Sequence, residues 1–398
     1  MNMKRVYLDY SATTPVDREV LAAMLPFFAE NYGNASSIHT AGQYARAAVE
    51  SARASVAALI GAKASEIVFT SGGTEADNLA IFGCVAASPS VRKHIIASPI
   101  EHHAVLNCVE ALEKQGVEVT WLPVSRDGVV DTADVRRALR PETVLITVMH
   151  ANNELGTIQP IAEIGRIAAE ADVYFHSDAV QSVGKIPVDV NALKVDFLAL
   201  SAHKFYGPKG VGVLYVRENT PLEPILFGGT HERDRRPGTE SVAGIVGFGK
   251  AAELARAHLA EESSRLDSLR DKLEQGILSR VPDSRVNGVE RNGESQRRIP
   301  GVTNMTFAHA DGESLVIALD LRGVQCSTGA ACSSGALLPS HVLRAIGLPN
   351  DEAKATLRFS LGRFTTDEDV DYALEAIPRV VERLREISPT YRKAVPAR

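Results

Sequence analysis

The sequence predicts an α/β fold: a mainly parallel, seven-stranded sheet covered by helices, joined to a smaller α+β domain. Between about residues 66 and 216, short β-branched runs alternate with helical stretches whose apolar residues fall three and four apart. That alternation is the pattern of a parallel sheet with helices on its faces. The chain has 398 residues, 45% of them hydrophobic, which exceeds one typical core and favours a large domain plus a smaller one.

The strand candidates, in order, are Glu66–Thr70, His94–Ser98, Val117–Leu122, Thr143–Met149, Val173–Asp178, Phe197–Ser201 and Val211–Val216. Each is short enough to be a buried strand. From about 243 to 281 the text becomes rich in Ala, Leu and charge, with Leu266, Leu269, Leu273 and Ile277 on one helical face. A helix of that length can bridge two domains, so the boundary is placed near 260. Beyond it the sequence predicts a strand at Val302–Phe307, a helix at Gly312–Leu321, a strand at Thr356–Leu361 and a last helix after Thr366, where Thr366 and Asp369 form a capping box. The polar stretch Ser284–Pro300 reads as a surface loop.

Composition narrows the function. There are 43 Lys and Arg against 49 Asp and Glu, and a net charge of -6 argues against a nucleic-acid partner. Nowhere do about 18 apolar residues run together, and Met1–Tyr10 has no apolar run of signal-sequence length, so the expectation is a soluble, cytoplasmic protein without a membrane partner. Four cysteines, Cys84, Cys108, Cys326 and Cys332, are too few and too uneven for a disulfide framework or a paired zinc site, so no metal is expected.

Several motifs converge on one edge of the sheet. The strand at Glu66–Thr70 runs through Ser71-Gly72-Gly73-Thr74 into a helix, where free N–H groups and a hydroxyl suit a phosphate. The apolar strand before Ser201-Ala202-His203-Lys204 delivers Lys204 to its C-terminal end, the edge at which open α/β sheets bind ligands. An isolated lysine is more often a surface residue, but one in this setting can form a Schiff base with an aldehyde cofactor. The strand ending at Asp178 brings a carboxylate and Gln181 to the same edge, as a protonated pyridine nitrogen would require. Glu101-His102-His103 follows another strand there, so an imidazole could lie over a flat ring and exchange protons.

The cysteines differ in setting. Cys332 lies in Ser327-Thr-Gly-Ala-Ala-Cys-Ser-Ser-Gly335, small and polar with two glycines, which predicts a mobile loop. Five extended residues could carry a thiol about 17 Å from its anchor. Cys84 and Cys108 fall in apolar helical stretches and read as buried and inert, whereas Cys326 is favoured as core but could also pair with Cys332.

In this order the pieces resemble the cysteine desulfurase family, within the class V aminotransferase group of pyridoxal 5'-phosphate (PLP) enzymes of fold type I. The likeness covers nearly the whole chain and rests on Tyr7–Pro15, Gly33–His39, Thr70–Glu75, Met149–Glu154, Gly229–Arg233 and Arg358–Gly362 with Arg363. Departures from the family's usual text are Ser11, Ala35, Ala330 and Pro237. The resemblance implies that Lys204 carries PLP, Asp178 pairs with its ring nitrogen, Gln181 bonds its hydroxyl, His102 stacks on it and Asn153 approaches it. Gly73, Thr74, Ser201 and His203 would hold the phosphate, with Thr239 reaching in from the second subunit of a homodimer. Arg358 and Asn153 would bind the substrate, L-cysteine, and Arg358 offers the planar fork suited to its carboxylate. Cys332 would take the sulfur as a persulfide, with Lys204 and His102 as the other catalytic groups, release alanine, and pass the sulfur to an acceptor such as an iron–sulfur cluster scaffold. The same likeness implies residues 15–260 as the large PLP-binding domain, and 1–14 with 261–398 as the small one, carrying the cysteine loop at about 326–338.

Overall fold

The chain enters through a two-residue strand, β1 (Val6–Tyr7), and then builds the seven strands the periodicity predicts. These are β2 (Ile67–Thr70), β3 (His94–Ala97), β4 (Glu118–Trp121), β5 (Thr143–Thr147), β6 (Tyr174–Asp178), β7 (Phe197–Ser201) and β8 (Gly212–Val216). The computed structural model describes residues 4–289, 297–328, 339–388 and 391. The seven strands form one sheet in the order β2-β8-β7-β6-β5-β3-β4. Only β8 runs against its neighbours; the other pairings are parallel.

Both faces of this sheet are covered, which is why its central strands read as almost unbroken apolar runs instead of alternating ones. Ile67, Phe69, Ile146, Leu198 and Val213 point into one core, and Val68, Leu145, Phe197, Ala199 and Leu214 into another on the opposite face. The period of two along each strand divides these residues between the faces. The edge strand β4 is only partly buried and correspondingly carries Glu118 and Thr120.

A third core collects Val6 and Leu8 with Leu266, Leu269, Leu273, Ile277, Phe307 and Phe359. It packs on a four-stranded sheet ordered β12-β13-β10-β9, made of β9 (Ser284–Val286), β10 (Val302–Phe307), β12 (Ser327–Thr328) and β13 (Thr356–Ser360), while β11 (Val324–Gln325) pairs in parallel with β1. The helix Val242–Arg280 joins the cores: Ile245, Phe248 and Ala252 of its first half pack on the large sheet, and the leucines of its second half on the small one. Its 39 residues span about 58 Å at the α-helical rise. The last helix, Asp367–Ile387, starts at the expected reciprocal cap between Thr366 and Asp369.

One expectation is corrected. Ser284–Pro300 is not a surface loop throughout, because Ser284–Val286 pairs antiparallel with β10. Asn287 is buried and its amide donates to Asn304 and Thr306, while buried Arg298 meets Glu274 at 2.7 Å. The polarity of this stretch serves a buried hydrogen-bond network, which composition cannot distinguish from solvation. Residues 290–296 of it lie outside the described part.

Leu273 is fully buried where the long helix meets the small sheet. Replacing it with Ala is expected to lower unfolding stability by roughly 2–5 kcal/mol, read from the urea midpoint at unchanged slope. A midpoint that does not move would contradict the packing described.

Candidate active site

Every parallel strand of the large sheet ends at the same rim, and the strand order reverses between β3 and β5. Open α/β sheets bind ligands at such a reversal, outside the C-terminal strand ends. Two loops flank it, and they are tied together: Met149 N donates to Glu101 Oε1 at 2.7 Å and Asn152 Nδ2 to Ile100 O at 2.9 Å. Beside them the rim holds a cavity of about 210 Å³.

The cavity brings together nine of the residues the sequence singles out. Gly73 and Thr74 come from the start of the helix Gly73–Ala87, and His102 and Asn153 from the two flanking loops. Asp178 ends β6 and Gln181 follows it, while Ser201 ends β7 and His203 and Lys204 follow it. A Cβ on Gly73 would sit 2.8 Å from Val180 Cγ2, and one on Gly212 would sit 2.4 Å from the carbonyl carbon of Gly72. Glycine at both positions lets β8 and the loop after β6 close on the turn.

The Lys204 amine donates to the carbonyls of Ser11 at 2.7 Å and Ala12 at 2.8 Å. Gln181 Nε2 donates to the same Ser11 carbonyl at 2.9 Å, and Lys185 Nζ donates to Gln181 Oε1 at 2.9 Å. Thr14 N and Thr14 Oγ1 both donate to His203 O, so the segment 11–14 straps the lysine's loop. Burial pushes the Asp178 carboxyl up to about 6, although Val180 N donates to its Oδ1 at 2.8 Å. His102 caps the helix His103–Lys114, its Nδ1 accepting from Ala104 N, and burial with the nearby Lys204 and His103 charges lowers its pKa to about 4. Burial and the Lys204 charge hold His203 at about 4 as well, and Lys185 falls to about 7.

Two predicted residues stand elsewhere. Arg358 does not line the cavity: it is buried, with its guanidinium donating to Asp9 Oδ1 at 2.7 Å and to the Asn153 carbonyl at 3.0 Å. It reaches the cavity through the backbone of Asn153, and its Nε has no partner among the described residues. Thr239 is exposed and away from the cavity lining. Its loop is tied to the turn before the helix Gly73–Ala87, because Arg236 meets Glu75 at 2.7 Å and Glu232 takes both Arg53 nitrogens and Phe69 N. Cys332 lies outside the described residues.

Sequence reasoning missed Asp77, Met149 and Val180 in the lining, and the strap at Ser11 and Ala12. The available signal for Asp77 was an acid on the buried, apolar side of its helix, beside Ala76 and Ala80. Cys84 and Cys108 are buried as expected, and burial pushes both thiols up to about 12. Cys326 packs in the small core, and burial raises it too.

These groups fit a phosphorylated pyridine aldehyde. Gly73 and Thr74 supply anion-binding groups at a helix N-terminus, Ser201 and His203 a hydroxyl and an imidazole beside them, Lys204 an amine, and Asp178 a buried carboxyl whose ionised form a ring N–H⁺ would favour. A family model described as aminotransferase class-V matches residues 6–373. The cysteine desulfurase IscS of Dictyoglomus turgidum is 53% identical over 97% of both chains. A solved NifS-like protein superposes with a TM-score of 0.89 at 37% identity, covering 96% of this chain and all (100%) of the other. SspA, solved in complex with cysteine, superposes at 0.78 with 38% identity over 91% of this chain and 100% of its own. The chain belongs to the aminotransferase class-V family and, within it, to the cysteine desulfurases. Enzymes of this family use PLP.

The His102 imidazole should therefore titrate near 4, not at the ordinary 6.5. Its proton and nitrogen chemical shifts followed by NMR would check this, and a midpoint near 6.5 would contradict the enclosed, cation-flanked setting.

Proposed function

We propose that this chain removes sulfur from L-cysteine, releasing alanine and holding the sulfur as a persulfide on Cys332 for transfer to an acceptor protein. The observation that carries the reading is the meeting of Lys204, Asp178, His102 and the Gly73–Thr74 turn in one cavity. The names of the relatives support it: cysteine desulfurase for the curated ones, and a cysteine complex for SspA.

PLP bound here would supply an electron sink for charge developing at the substrate's α-carbon. Gly73, Thr74, Ser201 and His203 would hold its phosphate, Asp178 its ring nitrogen, Gln181 its hydroxyl, and His102 and Asn153 its ring. Lys204, positioned by the Ser11 and Ala12 carbonyls, is the amine that would hold the cofactor's aldehyde, and it moves the proton at the substrate Cα. Arg358 and Asn153 orient the substrate, the guanidinium meeting its carboxylate. The Cys332 thiolate attacks the substrate sulfur: an S–S bond forms as the C–S bond breaks, and the three-carbon remainder leaves as alanine after protonation. Burial holds the other three thiols far above their usual range, which suits them to packing and not to attack.

The same reading takes residues 15–260 as the PLP-binding domain and 1–14 with 261–398 as the small domain, in line with the separate cores on either half of the long helix. It takes the active form as a homodimer, with Thr239 completing the partner's phosphate site. The exposed Leu25, Phe28, Tyr32, Ile38 and Phe227, between 57% and 92% accessible, supply apolar surface for such an interface. No described helix is long and apolar enough to cross a membrane, and the reading places the protein in the cytoplasm with an iron–sulfur cluster scaffold as acceptor.

Cys332→Ala is expected to abolish sulfide and alanine release from L-cysteine while the visible absorbance of the bound cofactor remains. Unchanged sulfide release would contradict the persulfide step. Lys204→Ala is expected to remove that visible absorbance, and its persistence would contradict the role of Lys204.

A further inference from the structure

Two carboxyls line the cavity, Asp178 and Asp77, yet only one can serve the ring nitrogen of a bound cofactor. Asp77 sits on the buried side of the helix Gly73–Ala87, 1% exposed. Its Oδ1 faces His176 Nε2 at 3.3 Å, and neither atom has another partner among the described residues. His176 is on β6, two residues before Asp178 and thus on the same face of the sheet, and its Nδ1 meets Thr147 Oγ1 on β5 at 2.9 Å. The result is a chain from the cavity into the sheet: Asp77, His176, Thr147.

The surroundings decide where protons lie. Facing Asp77 are His176 and Asp178 from β6, Glu101 from the loop after β3, and Cys108 from the helix His103–Lys114, whose thiol donates to Ala104 O. None of these groups is cationic unless His176 is protonated, and His176 is completely buried between β5 and β7. Two carboxylates in one water-poor site do not both ionise, and the one with more hydrogen-bond donors gives up its proton first. Asp178 accepts from Val180 N at 2.8 Å, whereas Asp77 Oδ1 faces only the imidazole. An isolated buried ion pair would also need hydrogen bonds on its remaining lone pairs to offset desolvation.

We propose that Asp77 is a positioning residue that keeps its carboxyl protonated and donates to Nε2 of a neutral His176, leaving Asp178 as the one ionised carboxylate facing the cofactor. His176 then donates from Nδ1 to the Thr147 hydroxyl, which fixes its tautomer. This rests on the PLP reading above. The directions of the shifts agree: burial, then the Asp178 and Glu101 charges, raise Asp77, and burial lowers His176 to about 3. The effect is to keep a single negative charge beside the ring nitrogen while the second acid holds its helix against β6.

The test is infrared spectroscopy of the purified holoenzyme at neutral pH in light and heavy water. A deuterium-sensitive, protonated-carboxyl C=O band should be present in the wild type and lost in Asp77→Asn, and no difference between the two would overturn the proposal. His176→Gln should move that band without removing it. Should Asp77→Asn not fold, nitrogen NMR of His176 in the wild type decides: a neutral ring protonated at Nδ1 supports the proposal, and an imidazolium overturns it. The pH midpoint of the cofactor's visible absorbance should stay in place in Asp77→Asn. A fall of about one unit or more, as loss of a neighbouring negative charge would give, overturns it. The same spectra show whether the visible absorbance depends on Lys204, so failure of the PLP reading is seen separately from failure of the proton assignment.

Discussion

A carboxyl and an amine at the rims of neighbouring parallel strands, Asp178 at the end of β6 and Lys204 just past β7, set the terms for everything around them. Each is costly to bury alone, and burial already drives the Asp178 proton affinity upward. The structure answers with local donors and acceptors: Val180 N for the carboxyl, and the Ser11 and Ala12 carbonyls for the amine. The parallel sheet is the device that allows it, because seven short strands covered on both faces leave their polar ends on common rims.

The small sheet is joined to this rim by polar contacts as well as by the long helix. Arg358 on β13 bonds Asp9 and the Asn153 carbonyl, Ser340 Oγ donates to Glu154 Oε2 at 2.6 Å, and His341 Nε2 lies 2.9 Å from Glu101 O. Burial pushes Glu154 up to about 7. Thr328 and Pro339 are the described residues nearest to Cys332 on its two sides, and both approaches to the cysteine segment are anchored: Thr328 pairs with Leu357 on β13, and Ser340, next to Pro339, bonds the Met149–Glu154 loop.

Much of this was legible from residue text because sheet architecture writes a strong signal. The alternation of β-branched runs with helical periods located all seven strands, with ends displaced by a residue or two in all but Phe197–Ser201, among them those where Ser98 and Met149 turn into the site loops. Local chemistry located Lys204, Asp178, His102 and the Gly73 turn, since each lies at or a few residues past the C-terminal end of an apolar strand. The Ser11 carbonyl was not legible, as it reaches the cavity through tertiary packing from a position whose neighbours in sequence give no hint, and Asp77 was marked only by being an acid on the apolar side of its helix. Ser284–Val286 was misread for the opposite reason: its backbone pairs with β10, and the Asn287 amide that follows donates to Asn304 and Thr306 and not to water.

Reduction of the purified protein with borohydride, followed by peptide mass mapping, tests the account most directly. The account predicts a phosphopyridoxyl mass on the peptide that contains Lys204 and on no other. The same mass on the peptide of Lys185, or on none, would contradict it.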